Sequence, residues 1–341
     1  MKTATSNARA KRAVLAGNVL VDVVKTVDAW PEQGMLASIT AQKRACGGAV
    51  CNSGTFLKTL DPSLDVCACG KTGTDEYGDW VLSFLSGRGI DVSRVRRTPD
   101  APTSYTDVVT VASTGARTFF HYRASSALFS QADIDLDSLD CDIFHLGYLL
   151  LLDALDAPDP EYGTKAARLL HDVQARGIRT SIDIVSGQPE RFRQIVPPAL
   201  RYCDHLVVNE IEGGLAAGLP HRGADGRVTA SSLRKIAESL LEAGVRRSVT
   251  LHSPEMGVTL SAAGEFTAVG SLELPDGWIR GSVGAGDAFC AGMLYAFMKG
   301  LSDEEGMKVA SCAAAANLAA LDSISGALPL DRTMELERYR T

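Results

Sequence analysis

The stretch that most restricts how this 341-residue chain can fold is Gly281-Ser282-Val283-Gly284-Ala285-Gly286-Asp287, followed by Ala288-Phe289-Cys290-Ala291-Gly292-Met293-Leu294-Tyr295-Ala296-Phe297-Met298. Its second half is apolar nearly all round, so as a helix it belongs in a core. Gly300, after Lys299, reads as the C-terminal stop of that helix. The first half sets small residues at the helix mouth, where backbone N–H groups lack intrahelical acceptors and the helix dipole favours negative charge. Gly284, Ala285 and Gly286 would let a phosphate approach the backbone, and Asp287 in the first turn is placed to take a proton from an attacking hydroxyl. A tight turn with an acidic cap is the better account of a bare Gly-x-Gly-Asp taken alone. The rest of the chain has to separate the two.

A core able to surround such a helix needs a large domain, and 45% hydrophobic with 22% charged residues is ordinary for a soluble globular protein. The net charge of −7 gives no nucleic-acid footprint, although a local nest of amides binds anions regardless of global charge. No run approaches the ~20 apolar residues of a membrane span. The eight cysteines lie mostly inside apolar runs and read as buried, reduced thiols, so a cytoplasmic protein is expected. Residues 1–12 are polar and basic, with no apolar run of signal-peptide type, and read as a flexible tail.

Beyond the tail, strands are expected at 13–17, 19–24, 64–69, 142–146, 178–185 and 247–251. Helices are expected at 75–87, 161–175, 231–243 and 303–321, and the stretch 46–54 leads into a further helix that ends near Leu60. Residues 31–44 read as a polar, irregular connection, 201–208 as a helix-to-strand passage, and 257–269 as a hairpin. Strand–helix alternation of this length argues for an α/β fold with a largely parallel, doubly wound sheet and right-handed crossovers. Between 92 and 122 the pattern changes to short strands, at 104–112 and 117–122, which suggests a β-rich subdomain or lid.

In such sheets ligands sit beyond the carboxyl ends of the strands. Asn209-Glu210-Ile211-Glu212 follows Val207-Val208 directly, and on a first helical turn Asn209 and Glu212 share one face. Glu212 could hold Mg²⁺ through water, but the same spacing makes a helix cap, the better account by itself. Gly47-Gly48 precedes a helix that carries Asn52, an arrangement open to a ligand or to a simple strand-to-helix turn. Asp22 is a lone acid among aliphatic neighbours, and periodicity alone does not exclude a solvent-facing position.

Taken together, the ordered pieces resemble the ribokinase-like (PfkB-type) carbohydrate kinase family. They are Gly17-Asn18-Val19-Leu20-Val21-Asp22; Gly47-Gly48 with Asn52; Gly70-Lys71-Thr72-Gly73-Thr74-Asp75 with Gly78; Asn209-x-x-Glu212; Gly284-Ala285-Gly286-Asp287; and Gly326-Ala327. The resemblance implies a three-layer α/β/α sandwich over 13–330, a small β-sheet lid formed by about 18–45 and 103–123, and a C-terminal helical tail at 331–341. It implies ATP and Mg²⁺ as cofactors, a small sugar as substrate and a homodimer joined through the lid. By the same resemblance Asp287 would be the catalytic base, with Gly284, Ala285 and Gly286 as the anion hole. Asp22, Gly47, Gly48 and Asn52 would grip sugar hydroxyls. Asn209 and Glu212 would organise Mg²⁺ and phosphates, and Thr250 and Gly257 would flank the nucleotide.

The chain departs from the family pattern at several points. Gly281 stands where the family usually carries an acid associated with a monovalent-cation site, which leaves K⁺ activation open. His252 replaces a close-approach glycine in the nucleotide loop, which is longer by about two residues. Arg123 could pair with a carboxylate or hydroxyl of the substrate, but Asp183-Ile184-Val185-Ser186-Gly187 lacks the second arginine of sugar-acid kinases. Tyr148 and the leucines after Gly147 offer no clear polar ligand. The expected reaction is phosphorylation of a primary hydroxyl of a small sugar or sugar derivative. The alternatives are a nucleoside kinase, for which Phe119, Phe120 and Tyr122 could supply a stacking surface, and a catalytically silent sugar sensor.

Overall fold

The computed structural model describes residues 10–185, 189–223 and 225–340, so most of the expected tail, together with Ser186 and Gly187, lies outside the described residues. The chain enters as β1 (Arg12–Gly17), whose aliphatic residues are fully buried, and passes into β2 (Leu20–Val27). Gly17 makes that passage possible: its φ is +132°, and a Cβ there would lie 1.5 Å from the carbonyl oxygen of Gly147. β3 (Ile39–Gly47) returns antiparallel to β2 and leads through Gly48 into α1 (Ala49–Leu60). The expected irregular connection at 31–44 is therefore corrected, because its last six residues belong to a strand. Ile39 to Arg44 are exposed on both faces, so β3 lacks apolar alternation and is held by pairing with β2.

β4 (Asp65–Gly73), α2 (Glu76–Ser86), capped by the Asp75 side chain, and β5 (Asp91–Thr98) follow. Then come β6 (Tyr105–Val111), β7 (Arg117–Tyr122) and the short α3 (Ala124–Ala127). The alternating part resumes with β8 (Ile143–Leu149), α4 (Asp153–Asp156), the two-residue strands β9 (Pro158–Asp159) and β10 (Gly163–Thr164), α5 (Lys165–Gln174) and β11 (Arg179–Ile184). α6 (Pro189–Leu200) precedes β12 (His205–Asn209), α7 (Glu210–Ala217), α8 (Ala230–Glu242), β13 (Ser248–His252), β14 (Met256–Ser261) and β15 (Phe266–Gly270). α9 (Ala285–Lys299), α10 (Asp303–Leu318) and α11 (Leu330–Met334) close the chain. The helix expected inside 201–208 ends at Leu200, because α6 accommodates Pro197 and Pro198, residues that argue against helix in sequence.

Among the described residues the large sheet has nine strands in the order β15-β14-β13-β12-β11-β8-β1-β4-β5, parallel except at the β13-β14-β15 edge. Alternate residues of β1 face opposite layers. Val14 and Ala16 pack with Leu169, Phe192 and Ile236 of α5, α6 and α8, while Ala13 and Leu15 pack with Phe56, Met293 and Leu294 of α1 and α9. These two clusters are the two interfaces of an α/β/α sandwich. α9 is buried along nearly its whole length and stops at Gly300, φ +69°. A separate four-stranded sheet, β3-β2-β6-β7, stands over the carboxyl edge of the large one. No helix among the described residues is long and apolar enough to cross a membrane.

Candidate active site

α9 begins at Gly284, whose φ is +77° and whose Cβ would lie 2.3 Å from the carbonyl oxygen of Ser323, so the turn sits directly on the loop after α10. Asn317 fixes the approach by donating Nδ2 to the carbonyl of Val283 at 2.8 Å. Gly284 and Gly286 thereby open onto a cavity of about 660 Å³ that lies between the two sheets. The small sheet contributes Asp22, Thr106, Phe119 and His121 to its walls. Tyr148, Asp183, Asn209 and His252 come from β8, β11, β12 and β13 at the carboxyl ends of their strands, and Asn52, Glu212 and Asp287 come from helices.

Asp287, three residues into α9, is buried at the cavity floor. Tyr148 donates its hydroxyl to both carboxylate oxygens, at 2.6 and 2.8 Å, and Asn52 donates Nδ2 to Oδ2 at 2.9 Å. Burial pushes the Asp287 carboxyl up, and these two donors pull it back. The amide oxygen of Asn52, Oδ1, is buried without a partner, an acceptor left for a ligand hydroxyl. Tyr148 is thus a site residue that sequence reasoning dismissed. Its position at the end of β8 was the only signal available.

Further acids surround this centre. Burial, and then the charge of Asp287, push the Asp22 carboxyl up to about 7, with a hydrogen bond from Thr106 opposing the rise. Asp183 is raised well above the carboxylate range by burial, then by Glu212 and Asp287. Asp183 and Glu212 therefore put two carboxylates on one side of the cavity, the hard oxygen donors that a divalent cation such as Mg²⁺ takes alongside water. Asn209 and Glu212 do form the cap: Oδ1 of Asn209 accepts from Glu212 N at 2.8 Å, and the Glu212 carboxylate accepts from Asn209 N at 3.2 Å. The capping box and the cavity wall are made by the same two side chains.

Not every expected residue reaches the cavity. Gly47 lies behind Asp22, its Cβ position 2.5 Å from Oδ1 of that residue, while Gly48 is in the wall. Ala285 is in the first turn of α9 but not among the described lining residues. Thr250 and Gly257, expected beside the nucleotide, are not among the residues that line this cavity. Thr250 is fully buried with its hydroxyl against Thr259 at 2.9 Å, and Gly257 pairs with His252 across β13 and β14. His252 takes the wall position instead. It stacks on Phe289, with ring centroids 4.5 Å apart, and burial lowers its pKa to about 4, so it is neutral near pH 7. The expected extra loop length is taken up in a tight turn closed by Ser253 N and the carbonyl of Met256 at 2.9 Å.

At the other end of the cavity stands Arg123, which donates Nη1 to the carbonyl of Leu150 at 2.9 Å and to Asp153 at 2.5 Å. Arg191, on α6, lines the same end and is held more loosely, 3.6 Å from Asp153 and 3.5 Å from Asp156. A second arginine is therefore present, eight positions after Asp183 and carried by a helix. Of the three aromatic residues considered for stacking, only Phe119 faces the cavity. Phe120 stacks on Trp30, and Tyr122 meets Tyr105 edge-on.

A glycine turn and a buried carboxylate thus meet at one helix N-terminus, beneath a second small sheet. The chain belongs to the pfkB family of carbohydrate kinases, whose family pattern matches residues 10–329. It is 25% identical over 338 residues to probable fructokinase-6, chloroplastic, of Arabidopsis thaliana, covering 94% of this chain and 80% of that protein. It is 24% identical to the 2-dehydro-3-deoxygluconokinase of Escherichia coli strain K12, over 78% of this chain and 85% of that one. Among solved structures, Arabidopsis thaliana ribokinase complexed with ribose and ATP superposes with a TM-score of 0.78 at 19% identity, over 96% of this chain and 99% of that chain. Ribokinase from Thermotoga maritima gives 0.75 at 18% identity, over 97% and 100%. These likenesses bear out the expected ribokinase fold, a mostly parallel central sheet with a small separate one.

Proposed function

We propose that this protein transfers the γ-phosphate of ATP to a primary hydroxyl of a small sugar or sugar derivative, with Asp287 as general base. The observation that carries this reading is the Asp287 carboxylate. It is buried, oriented by Tyr148 and Asn52, and set in the first turn of a helix whose glycine mouth opens on the same cavity. The acceptor hydroxyl lies against Asp287, and Asp22, Gly48 and the spare oxygen of Asn52 bind its neighbours. The amides of Gly284, Ala285 and Gly286 face the transferred phosphoryl group and stabilise the charge that develops on it. Glu212, with Asp183 and Asn209 beside it, would hold Mg²⁺, which supplies charge neutralisation on the phosphates. Asn209 and His252 border the nucleotide side, with Thr250 and Gly257 supporting that wall from within the sheet. The small sheet acts as a lid that excludes water.

Arg123 and the loosely held Arg191 favour an acceptor bearing a carboxylate or a carbonyl-rich end, such as a keto-sugar acid. A relative named 2-dehydro-3-deoxygluconokinase is consistent with that end of the cavity. Phe119 alone makes a poorer case for a nucleobase. The solvent-exposed Trp30, Leu36, Ile39 and Phe120 around the small sheet support a homodimer joined through it, and eight buried free thiols support a reducing, cytoplasmic setting.

The test is ADP release with ATP and Mg²⁺ across ketoses, aldoses, sugar acids and nucleosides, with Asp287→Asn as control. Turnover on a sugar, abolished in the control, is expected. Binding of sugar without turnover on any acceptor would overturn the kinase reading in favour of a sensor.

A further inference from the structure

The acid associated with a monovalent cation in similar kinases is Gly281 here, and the surroundings of Gly281 do not fit such an ion. A Cβ at this position would stand 2.8 and 3.2 Å from Nη2 and Nη1 of Arg117, and 2.7 Å from the carbonyl oxygen of Ala320. A carboxylate has no room, and a guanidinium already fills the space. Arg117 opens β7 in the small sheet, and its Nη2 donates to the carbonyl of Leu321 at 3.0 Å. A metal cation set against the same carbonyls would meet a fixed positive charge.

We infer that Arg117 is a built-in replacement for the monovalent cation: a guanidinium from the small sheet that organises the 320–323 loop, and through it the helix mouth at Gly284, so that turnover needs no potassium. This rests on the kinase reading above.

The contacts run without a break. Arg117 holds the carbonyl of Leu321, and two residues on, the carbonyl of Ser323 lies under Gly284, where any Cβ would collide with it. Ser323 is itself anchored by its hydroxyl to the carbonyl of Cys46 at 3.0 Å. The segment entering the turn is tied down as well, since the N–H groups of Arg280 and Gly281 both donate to the carbonyl of Leu318, at 2.8 and 3.2 Å. A second cation of the small sheet grips the same loop: Lys43 on β3 pairs with Asp322 at 2.9 Å. The charged groups meeting at this junction are thus Arg117 and Lys43 from the small sheet and Asp322 from the loop.

Arg117 does not line the cavity among its described residues, so it acts as a positioning residue. A free cation would order the loop wherever the small sheet stood. Arg117 can do so only while the small sheet is down, which couples closure over the sugar to the order of the anion hole.

The experiment compares sugar-dependent ADP formation and thermal midpoint in potassium chloride and in tetramethylammonium chloride at equal ionic strength, for the wild type, Arg117→Lys and Arg117→Ala. The wild type is expected to show the same kcat and Tm in both salts. Arg117→Ala should lose kcat about tenfold in tetramethylammonium, with a much smaller change in sugar KM. That loss should be reversed by potassium or methylguanidinium, and Arg117→Lys should fall between the two. Potassium stimulation of the wild type overturns the assignment, as does an Arg117→Ala defect that neither cation repairs. If Arg117→Ala does not fold, the wild type and Arg117→Lys decide. If no variant turns over any acceptor, the kinase reading fails separately, and Tm still decides the role of Arg117. Potassium should then stabilise Arg117→Ala but not the wild type, and equal responses overturn the inference.

Discussion

The hydroxyl of Tyr148 donates to both oxygens of Asp287, 2.6 Å from Oδ1 and 2.8 Å from Oδ2. A donor in this place favours the ionised carboxylate, the form a base needs, against the burial that disfavours it. Tyr148→Phe removes that donor, so the Asp287 pKa rises and the acid limb of the kcat profile moves to higher pH. A displacement of one unit would cost about tenfold in kcat on that limb, with recovery at alkaline pH. An unmoved limb would show that Tyr148 does not hold the charge.

Replacing the carboxylate itself separates chemistry from binding. Asp287→Asn keeps the shape of the side chain and loses the base, so kcat should fall by roughly 10²–10⁴ while sugar and nucleotide affinities, read by calorimetry, stay near normal. Near-full activity in this variant would remove Asp287 from the role of base.

Asp22 carries a stability cost that can be measured. Its folded pKa is about 7 against an ordinary value of 3.8, so between these pH values the folded chain holds a proton that the unfolded chain has lost. Stability therefore falls as pH rises through that window, and Asp22→Asn removes the slope. The variant should melt above the wild type at pH 8, with the advantage shrinking towards pH 4. Its kcat/KM for sugar should fall roughly tenfold to a hundredfold through loss of a hydroxyl partner. A variant no more stable than the wild type at pH 8 would contradict the placement of Asp22.

Gly17 offers a test of the frame. With φ +132° and the Gly147 carbonyl 1.5 Å from any Cβ, Gly17→Ala should destabilise by more than about 3 kcal/mol, seen as a lowered urea midpoint. A shift under about 1 kcal/mol would mean that the β1–β2 passage adapts with ease.

What the sequence disclosed follows from where the physics is local. The buried α9, its stop at Gly300 and its acid at 287 are written in consecutive residues. The same holds for the strands whose both faces are apolar. β3 was hidden because exposure on both faces erases the period of two, and α6 because Pro197 and Pro198 argue against helix until the packed structure is known. Tyr148, Asp183 and Arg191 acquire meaning only from the convergence of β8, β11 and α6 on one cavity. The setting of Thr250 was equally hidden: its neighbours align with a nucleotide loop, and only the strand pairing shows its hydroxyl against Thr259 inside the sheet.

The stacking of Trp30 on Phe120, with ring centroids 6.3 Å apart, has a spectroscopic consequence. The chain contains three tryptophans. Trp80 sits on α2 against Phe84, and Trp278 is tethered through Nε1 to the carbonyl of Ala315, so Trp30 alone rides with the small sheet. If the small sheet closes over an acceptor as proposed, Trp30 and Phe120 move together and the indole's solvent contact changes. The change in intrinsic emission would then time closure separately from phosphoryl transfer, with no label added.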